Sequence, residues 1–278
     1  MIKKCILLAA LASITLGAGA QQLRTPAPST TQTIKQELGI GSVDLSYSRP
    51  NARGRKVFGD LVPFDAVWRT GANGATTLTF SDEVIIGGTK VPAGKYGLLS
   101  IPGAGEWTFI LTKQTDVTSP AAYKQDQDLV RVKAKPQSTA MPVETLSMQF
   151  VNVRPGGADL QLAWENTAVA LPINMDVESK VMAQIDNLMN KDNRPYFQSA
   201  MYYMETGKDM NKALEWLDKA VAQSPDAFWI HHQRANALAK LGRNNDAKQA
   251  ANKSIELARK AQNMDYVRLN EKLITSLK

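Results

Sequence analysis

The side chains best equipped for chemistry stand together in Val67-Trp68-Arg69-Thr70-Gly71-Ala72-Asn73, inside a distinctive stretch covering residues 47–107. A guanidinium fork matches carboxylates and phosphates in a bidentate way, and an indole offers a flat apolar face to a sugar ring or another arginine. Four of the seven arginines between positions 21 and 175 fall within residues 49–69: Arg49, Arg53, Arg55 and Arg69. Arg49, Arg55, Trp68, Arg69 and Asn73 are therefore the candidate ligand-binding residues, suited to an anionic or glycan ligand. A structural role competes with this one, in which the arginines pair with Asp60 and Asp65 and pin the loop. Asn73, following Gly71 at a turn, could likewise serve the backbone alone.

Carboxylates are the only route left to catalysis. Asp60 and Asp65 are the alternative catalytic pair, with Asp82 and Glu83 nearby, because glycan hydrolysis needs two carboxyl groups at a suitable separation. Neighbouring arginines would keep Asp60 and Asp65 ionised, which suits a nucleophile better than a general acid. Residues 21–175 contain no histidine, so a Ser-His-Asp triad there is excluded. His231 and His232 are adjacent on a predicted helix and point in different directions, as packing residues rather than metal ligands. Gly87-Gly88 and Gly103-Ala104-Gly105 read as hairpin turns, since neither opens a helix after a strand as a nucleotide-binding loop would. No metal or cofactor is expected, and a non-catalytic role is preferred to an enzymatic one.

Residues 1–20 read as a secretory signal peptide: Lys3 and Lys4 at the start, an apolar stretch over 6–16, and Ala18-Gly19-Ala20 as a small-residue cleavage site. The protein is expected to be exported, to the periplasm, the outer envelope or the medium, with no membrane-spanning segment after removal of the signal. Cys5, the only cysteine, leaves with the signal, so neither disulfides nor a thiol nucleophile are available afterwards. The formal charge of +7 includes Lys3 and Lys4. What remains is spread evenly and carries no basic block, zinc-finger spacing or aromatic-basic signature, so nucleic acid is not an expected partner.

These residues need elements to position them. Residues 21–33, rich in Gln, Thr, Pro and Ser, read as an extended leader. A β domain is expected over 34–175, and from 42 to 175 the dominant period is two. Val43, Leu45 and Tyr47 alternate with polar residues, as do Trp107, Phe109 and Leu111, then Val130 and Val132, then Leu146, Met148 and Phe150, then Leu160, Leu162 and Trp164. With Val169, Leu171, Ile173 and Met175 and further strands near 75–80, 83–86 and 96–101, this makes about eight or nine short strands, which predict an antiparallel β-sandwich of jelly-roll type. Residues 49–70 break the alternation, as a functional loop or covering flap would.

From Asp176 onward the period becomes helical, with Asp176 as N-cap and further helices over 195–206, 209–223, 226–241, 244–260 and 264–277. Ala213, Leu217 and Ala220 recur 34 residues later as Ala247, Ala251 and Ser254, the tetratricopeptide period. The match is imperfect, because one extra residue separates Gly207 from Ala213 and His231 stands where a large aromatic is favoured. Residues 176–278 are thus expected to form a tetratricopeptide-like array that holds a protein partner, its Met and aromatic residues forming the interior.

Tyr47-Ser48-Arg49-Pro50, Gly54-Arg55-Lys56-Val57-Phe58-Gly59, Leu61-Val62-Pro63, Val67 to Asn73, Pro92-Ala93-Gly94-Lys95-Tyr96 and Glu106-Trp107-Thr108 together resemble the bacterial family called domain of unknown function 2911. The resemblance covers roughly 28–175 and implies an exported protein of Bacteroidetes type, some relatives of which carry tetratricopeptide repeats. Gly74 stands where that family commonly places an acidic residue, which weakens an enzymatic reading further. The expectation is an exported binding or scaffold protein. Its alternatives are a carboxylate-dependent hydrolase of envelope or dietary glycans and a purely structural β scaffold for the repeats.

Overall fold

The computed structural model describes residues 25–191 and 194–277; the predicted signal peptide over residues 1–20 and Cys5 lie outside the described residues. The chain divides into two compact units between Met175 and Asp176, a β unit and a helical unit. No helix among the described residues is long and apolar enough to cross a membrane.

The β unit contains two antiparallel sheets. In the first, β1 (Thr30–Leu38), β2 (Gly41–Arg49), β3 (Thr77–Phe80), β6 (Gly94–Ile101), β7 (Trp107–Thr112) and β8 (Asp128–Ala134) lie side by side in that order. The second has the order β5 (Thr89–Val91), β4 (Val84–Ile86), β10 (Gly157–Asn174) and β9 (Gln137–Arg154). The β4–β5 hairpin leaves one sheet for the other between β3 and β6. Period-two burial follows from the pleat: Val43, Leu45, Tyr47, Leu78, Phe80, Phe109 and Leu111 of the first sheet are buried, as are Leu146, Met148, Leu160, Leu162, Trp164, Val169, Leu171 and Ile173 of the second. The Tyr47 hydroxyl ties the sheets together, accepting from the Met148 amide at 2.8 Å and donating to Gln32 Oε1 at 2.8 Å. A buried phenol thereby has both of its hydrogen-bonding functions satisfied.

Two readings of the chain change here. The predicted leader over residues 21–33 ends earlier, because Thr30 already pairs with Arg49 and β1 runs along the whole of β2. The strand escapes detection by hydrophobicity since its half-buried side is Gln32, Ile34 and Gln36; a polar edge strand also discourages pairing with other chains. The separate strands expected over 160–164 and 169–175 are one strand, β10, whose register against β9 shifts around Glu165. Glu165 has φ +52°, and such a bulge interrupts the alternation without ending the strand.

The helical unit comprises α1 (Val177–Met189), α2 (Tyr196–Glu205), α3 (Met210–Gln223), α4 (Phe228–Lys240), α5 (Asn244–Lys260) and α6 (Met264–Ser276). Caps explain several starts: Asp176 accepts from the Ser179 amide, Asp209 from Asn211 and Lys212, and Asn263 from Tyr266. Gly207 and Gly242, with φ +69° and +74°, end α2 and α4 in the left-handed turn that glycine adopts without penalty. Each helix from α2 to α5 packs on the next, with α4 also touching α2 and α6. Ala213, Leu217 and Ala220, and their 34-residue counterparts Ala247, Ala251 and Ser254, are all buried. Small side chains there allow the close approach of neighbouring helices.

Both histidines are interior. His231 Nε2 donates to the Pro225 carbonyl at 2.8 Å, and His232 Nδ1 donates to Asn270 Oδ1 at 2.9 Å. Asn270, fully buried, sends its amide protons to Ser254 Oγ at 2.9 Å and the Tyr266 carbonyl at 2.7 Å, and Ser254 donates onward to the Phe228 carbonyl. This polar chain joins α4, α5 and α6. Asn270→Ala leaves His232 and Ser254 short of partners and should cost about 1–3 kcal/mol, read as a lower thermal midpoint in circular dichroism at 222 nm.

On the surface, Glu215 sits between Lys212 and Lys219, and Glu256 between Lys260 and Lys253. Those hydrogen bonds hold both carboxyls well below the usual carboxylate range, at about 2. A carboxyl lowered by folding adds stability that is present above its unfolded value near ~4.3 and fades as pH falls through its folded one. Carboxyl carbon NMR titration should accordingly place both midpoints near 2, and Lys212→Gln with Lys219→Gln should return Glu215 toward the ordinary range.

Candidate functional site

Residues 50–76 cross from β2 to β3 without a regular strand, and four aromatic rings hold them down. Phe58 and Trp68 come from this loop, Trp107 from β7 and Trp164 from β10. Phe58 meets Trp107 edge-on at 4.8 Å and Trp164 edge-on at 6.1 Å, and Trp68 lies nearly parallel to Trp164 with centroids 6.0 Å apart. Edge-on and offset contacts suit the ring quadrupoles. The loop is thereby fixed to both sheets.

Backbone hydrogen bonds complete the attachment. Trp68 and Ser100 of β6 exchange both amide–carbonyl bonds, at 2.7 and 2.9 Å, and the Thr70 hydroxyl meets the Ser100 hydroxyl at 2.9 Å. Ala72 N–H reaches the Ser48 carbonyl, and the Trp68 indole N–H donates to the Gly71 carbonyl at 3.2 Å. A Cβ on Gly71 would stand 2.9 Å from Thr76 Oγ1 and 3.1 Å from the Ser48 carbonyl oxygen, so only glycine fits this crossing. Carboxylates from the second sheet serve the same loop: Glu144 accepts from Arg53 N–H at 2.8 Å and Glu165 from Val57 N–H at 2.9 Å.

Against this frame lies a cleft of about 460 Å³, within the usual range for small-molecule sites. Trp68, Trp164, Val67 and Leu61 supply apolar wall, while Arg53, Arg55 and Arg69 supply the charge. Ser29 and Pro120 close its margins from the segment before β1 and the loop between β7 and β8. None of the described lining residues is acidic.

The candidate residues divide into two groups. Arg55, Trp68 and Arg69 line the cleft. Arg49 and Asn73 do not; Arg49 Nε donates to the Leu146 carbonyl at 3.0 Å, and Asn73 Nδ2 to the Ser29 carbonyl at 3.0 Å, so both act as ties. Asn73 has φ +55°, a conformation its short amide tolerates. Asp60 and Asp65 are exposed and outside the lining. Among the described residues neither pairs with an arginine of the cluster, which uses backbone carbonyls instead. Arg55 donates to the Ala52 and Asn51 carbonyls at 2.9 and 2.7 Å, and Arg69 donates to the Thr118 carbonyl. Arg69 Nε is buried without a partner among the described residues. Arg53, on the rim with φ +54°, makes no side-chain hydrogen bond among the described residues.

Three contributors were not singled out by the sequence. Arg53 belongs to the arginine cluster, and that cluster was the available signal. Trp164 reads as an ordinary inward strand residue, and it is one, only 1% exposed, while its edge also closes the cleft. Nothing local marks the loop over 113–127, which is anchored by Tyr123 donating to Asp128 Oδ2 at 2.6 Å, with Arg131 donating to both. Burial first, then the Asp128 hydrogen bond, raises the Tyr123 hydroxyl above the ordinary phenol range.

Residues 29–173, spanning the β unit, match the family described as Protein of unknown function (DUF2911). The chain belongs to the DUF2911 family. No curated protein and no solved structure matches it. The DUF2911 match contains both sheets, the aromatic cluster and every residue that lines the cleft except Pro28.

The crossing at Gly71 yields a direct test of this frame. Gly71→Ala should destabilise the DUF2911 unit by about 1–3 kcal/mol and perturb the near-ultraviolet tryptophan signal. Gly74→Ala, with nothing within 4 Å of the added carbon, should stay within about 0.5 kcal/mol of the parent.

Proposed function

We propose that the protein is an exported binding protein whose β unit captures an anionic ligand in the arginine-bearing cleft and whose helical unit holds a protein partner. The observation that carries the first part is the charge of the lining: among the described residues, three guanidiniums and no carboxylate. Walls of low polarisability around one sign of charge focus the field and attract an opposite charge. Backbone carbonyls restrain Arg55 and Arg69 without neutralising them.

The partner-binding role of the helical unit rests on the 34-residue recurrence and on exposed apolar side chains at Trp229, Met264 and Leu269. Tetratricopeptide-like arrays use such surfaces to hold other chains. Export rests on the charged, apolar and small-residue order of residues 1–20. The hydrolase alternative has less support, because Asp60 and Asp65 stand outside the cleft and the second-sheet carboxylates that reach the loop, Glu144 and Glu165, accept from backbone amides. The scaffold alternative draws on Arg49 and Asn73, yet anchoring by those two leaves the cleft arginines unexplained.

Fluorescence quenching by small ions tests the anion reading without knowledge of the ligand. The emission component lost in Trp68→Phe should be quenched several-fold more by iodide than by caesium. That preference should vanish in Arg53→Ala/Arg55→Ala at an unchanged thermal midpoint. Equal quenching by the two ions would sink the anion-binding role.

A further inference from the structure

Resting on the anion reading, a second property of the same cleft narrows the chemistry of what enters it. Hydrogen-bonding capacity there is lopsided. Three guanidiniums dominate the donors, joined by the Ser29 hydroxyl and the Asn51 amide N–H groups, while the side-chain acceptors of the described lining are only the Ser29 hydroxyl and the Asn51 amide oxygen. Asn51 Oδ1 already accepts from the Thr145 hydroxyl at 2.6 Å. The carbonyls of Asn51, Gly71 and Trp68 each already accept a hydrogen bond, from Arg55, the Trp68 indole and Ser100 respectively. The Trp68 N–H is itself consumed in that way, so the indole meets a ligand only through carbon.

Each hydroxyl of a sugar brings a proton that needs an acceptor as well as lone pairs that need a donor. Placed here, those protons would meet few side-chain acceptors, and polar groups left unpaired on burial are costly. An acceptor-only head on an apolar body has the opposite balance: its oxygens meet guanidinium N–H groups and its carbon frame meets Trp68, Trp164, Val67 and Leu61. We propose that the cleft's ligand is a small amphiphilic acid, an anionic carboxylate or phosphate head on an unhydroxylated aryl or alkyl body, rather than a glycan.

Isothermal titration of the full chain with four probes tests this: 4-phenylbutyrate, 3-phenylpropyl phosphate, 4-phenylbutanol and glucuronate. Expected is binding of one or both phenyl acids, the tighter of the two assigning the head group. The neutral alcohol should bind at least roughly tenfold more weakly, and glucuronate should give no measurable heat. Arg53→Ala/Arg55→Ala should weaken the acids by roughly 10- to 100-fold and leave the alcohol unchanged. Arg53→Lys/Arg55→Lys, which keeps the charge, should recover part of the loss and so separates ligand recognition from damage to the fold. Glucuronate binding as tightly as phenylbutyrate, with both lost in the alanine variant, would overturn the unhydroxylated body while leaving the anion reading standing. Silence from every acid, or acid binding indifferent to the arginines, would overturn both.

Discussion

Everything at the cleft depends on four rings meeting between the sheets. Trp107 and Trp164 are inward residues of different sheets, and Phe58 and Trp68 arrive from a loop that has no regular hydrogen-bond ladder of its own. Aromatic pairs add about 0.5–1.5 kcal/mol beyond the area they bury, and here several share the same rings. Phe58 contacts all three tryptophans, so the loop is fastened at the seam of the two sheets. Once Trp68 lies against Trp164, the next residue, Arg69, is delivered to the cleft by its position in the chain. The arginine-bearing cleft wall is a consequence of packing, achieved without lengthening either sheet over it.

That packing brings backbone strain with it. Of the described non-glycine residues with left-handed φ, Arg53, Asp65, Thr70 and Asn73 all belong to this one loop. Such conformations cost of order 1–3 kcal/mol each and persist where neighbouring contacts over-determine them. The compensation is visible at each end of the motif: Glu144 holds the Arg53 amide, and the buried Thr70 hydroxyl engages Ser100 while its carbonyl accepts from Thr76 at 2.8 Å. Gly97 of β6 plays a related part, where an added Cβ would sit 2.0 Å from the Gln114 carbonyl oxygen. The loop over 113–127 therefore rests directly on β6, and from there offers the Thr118 carbonyl to Arg69.

How much of this was legible in the chain depended on the range of the signal. Val43, Leu45 and Tyr47 alternate because neighbouring positions of a strand face opposite ways, and Asp176 or Asp209 caps a helix through residues two or three places on. Such features are written locally, and both the two-sheet unit and the helices were readable from them. β1 was not, since Gln32 and Gln36 occupy inward positions that hydrophobicity assigns to solvent. β10 was divided in two because the bulge at Glu165 shifts the phase of its alternation. The cleft failed for a different reason. Its loop was evident as a break in rhythm, and its arginines as a cluster, but Arg69 with Thr118, Asn73 with Ser29 and Arg49 with Leu146 are pairings across 49, 44 and 97 residues. A carbonyl acceptor has no residue type, so side-chain identity does not distinguish an arginine that ties the loop from one that lines the cleft.

The choice of partner for those arginines has energetic meaning. A carboxylate beside Arg55 or Arg69 would fix the side chain but cancel its charge, and a guanidinium with no partner at all would keep its charge but lose several rotatable bonds' worth of entropy on meeting a ligand. A backbone carbonyl does neither: it restrains part of the fork while leaving the formal charge in place and other N–H groups available. Arg55 is held in this way by two carbonyls from its own turn, and Arg69 by one from a different loop. Arg53 is restrained through its backbone instead, by the Glu144 carboxylate at its amide. The arrangement restrains the guanidiniums while keeping their formal charge, which is what the proposed anion-binding role requires. With Asp60 and Asp65 outside the cleft, no carboxylate among the described lining residues offsets that charge.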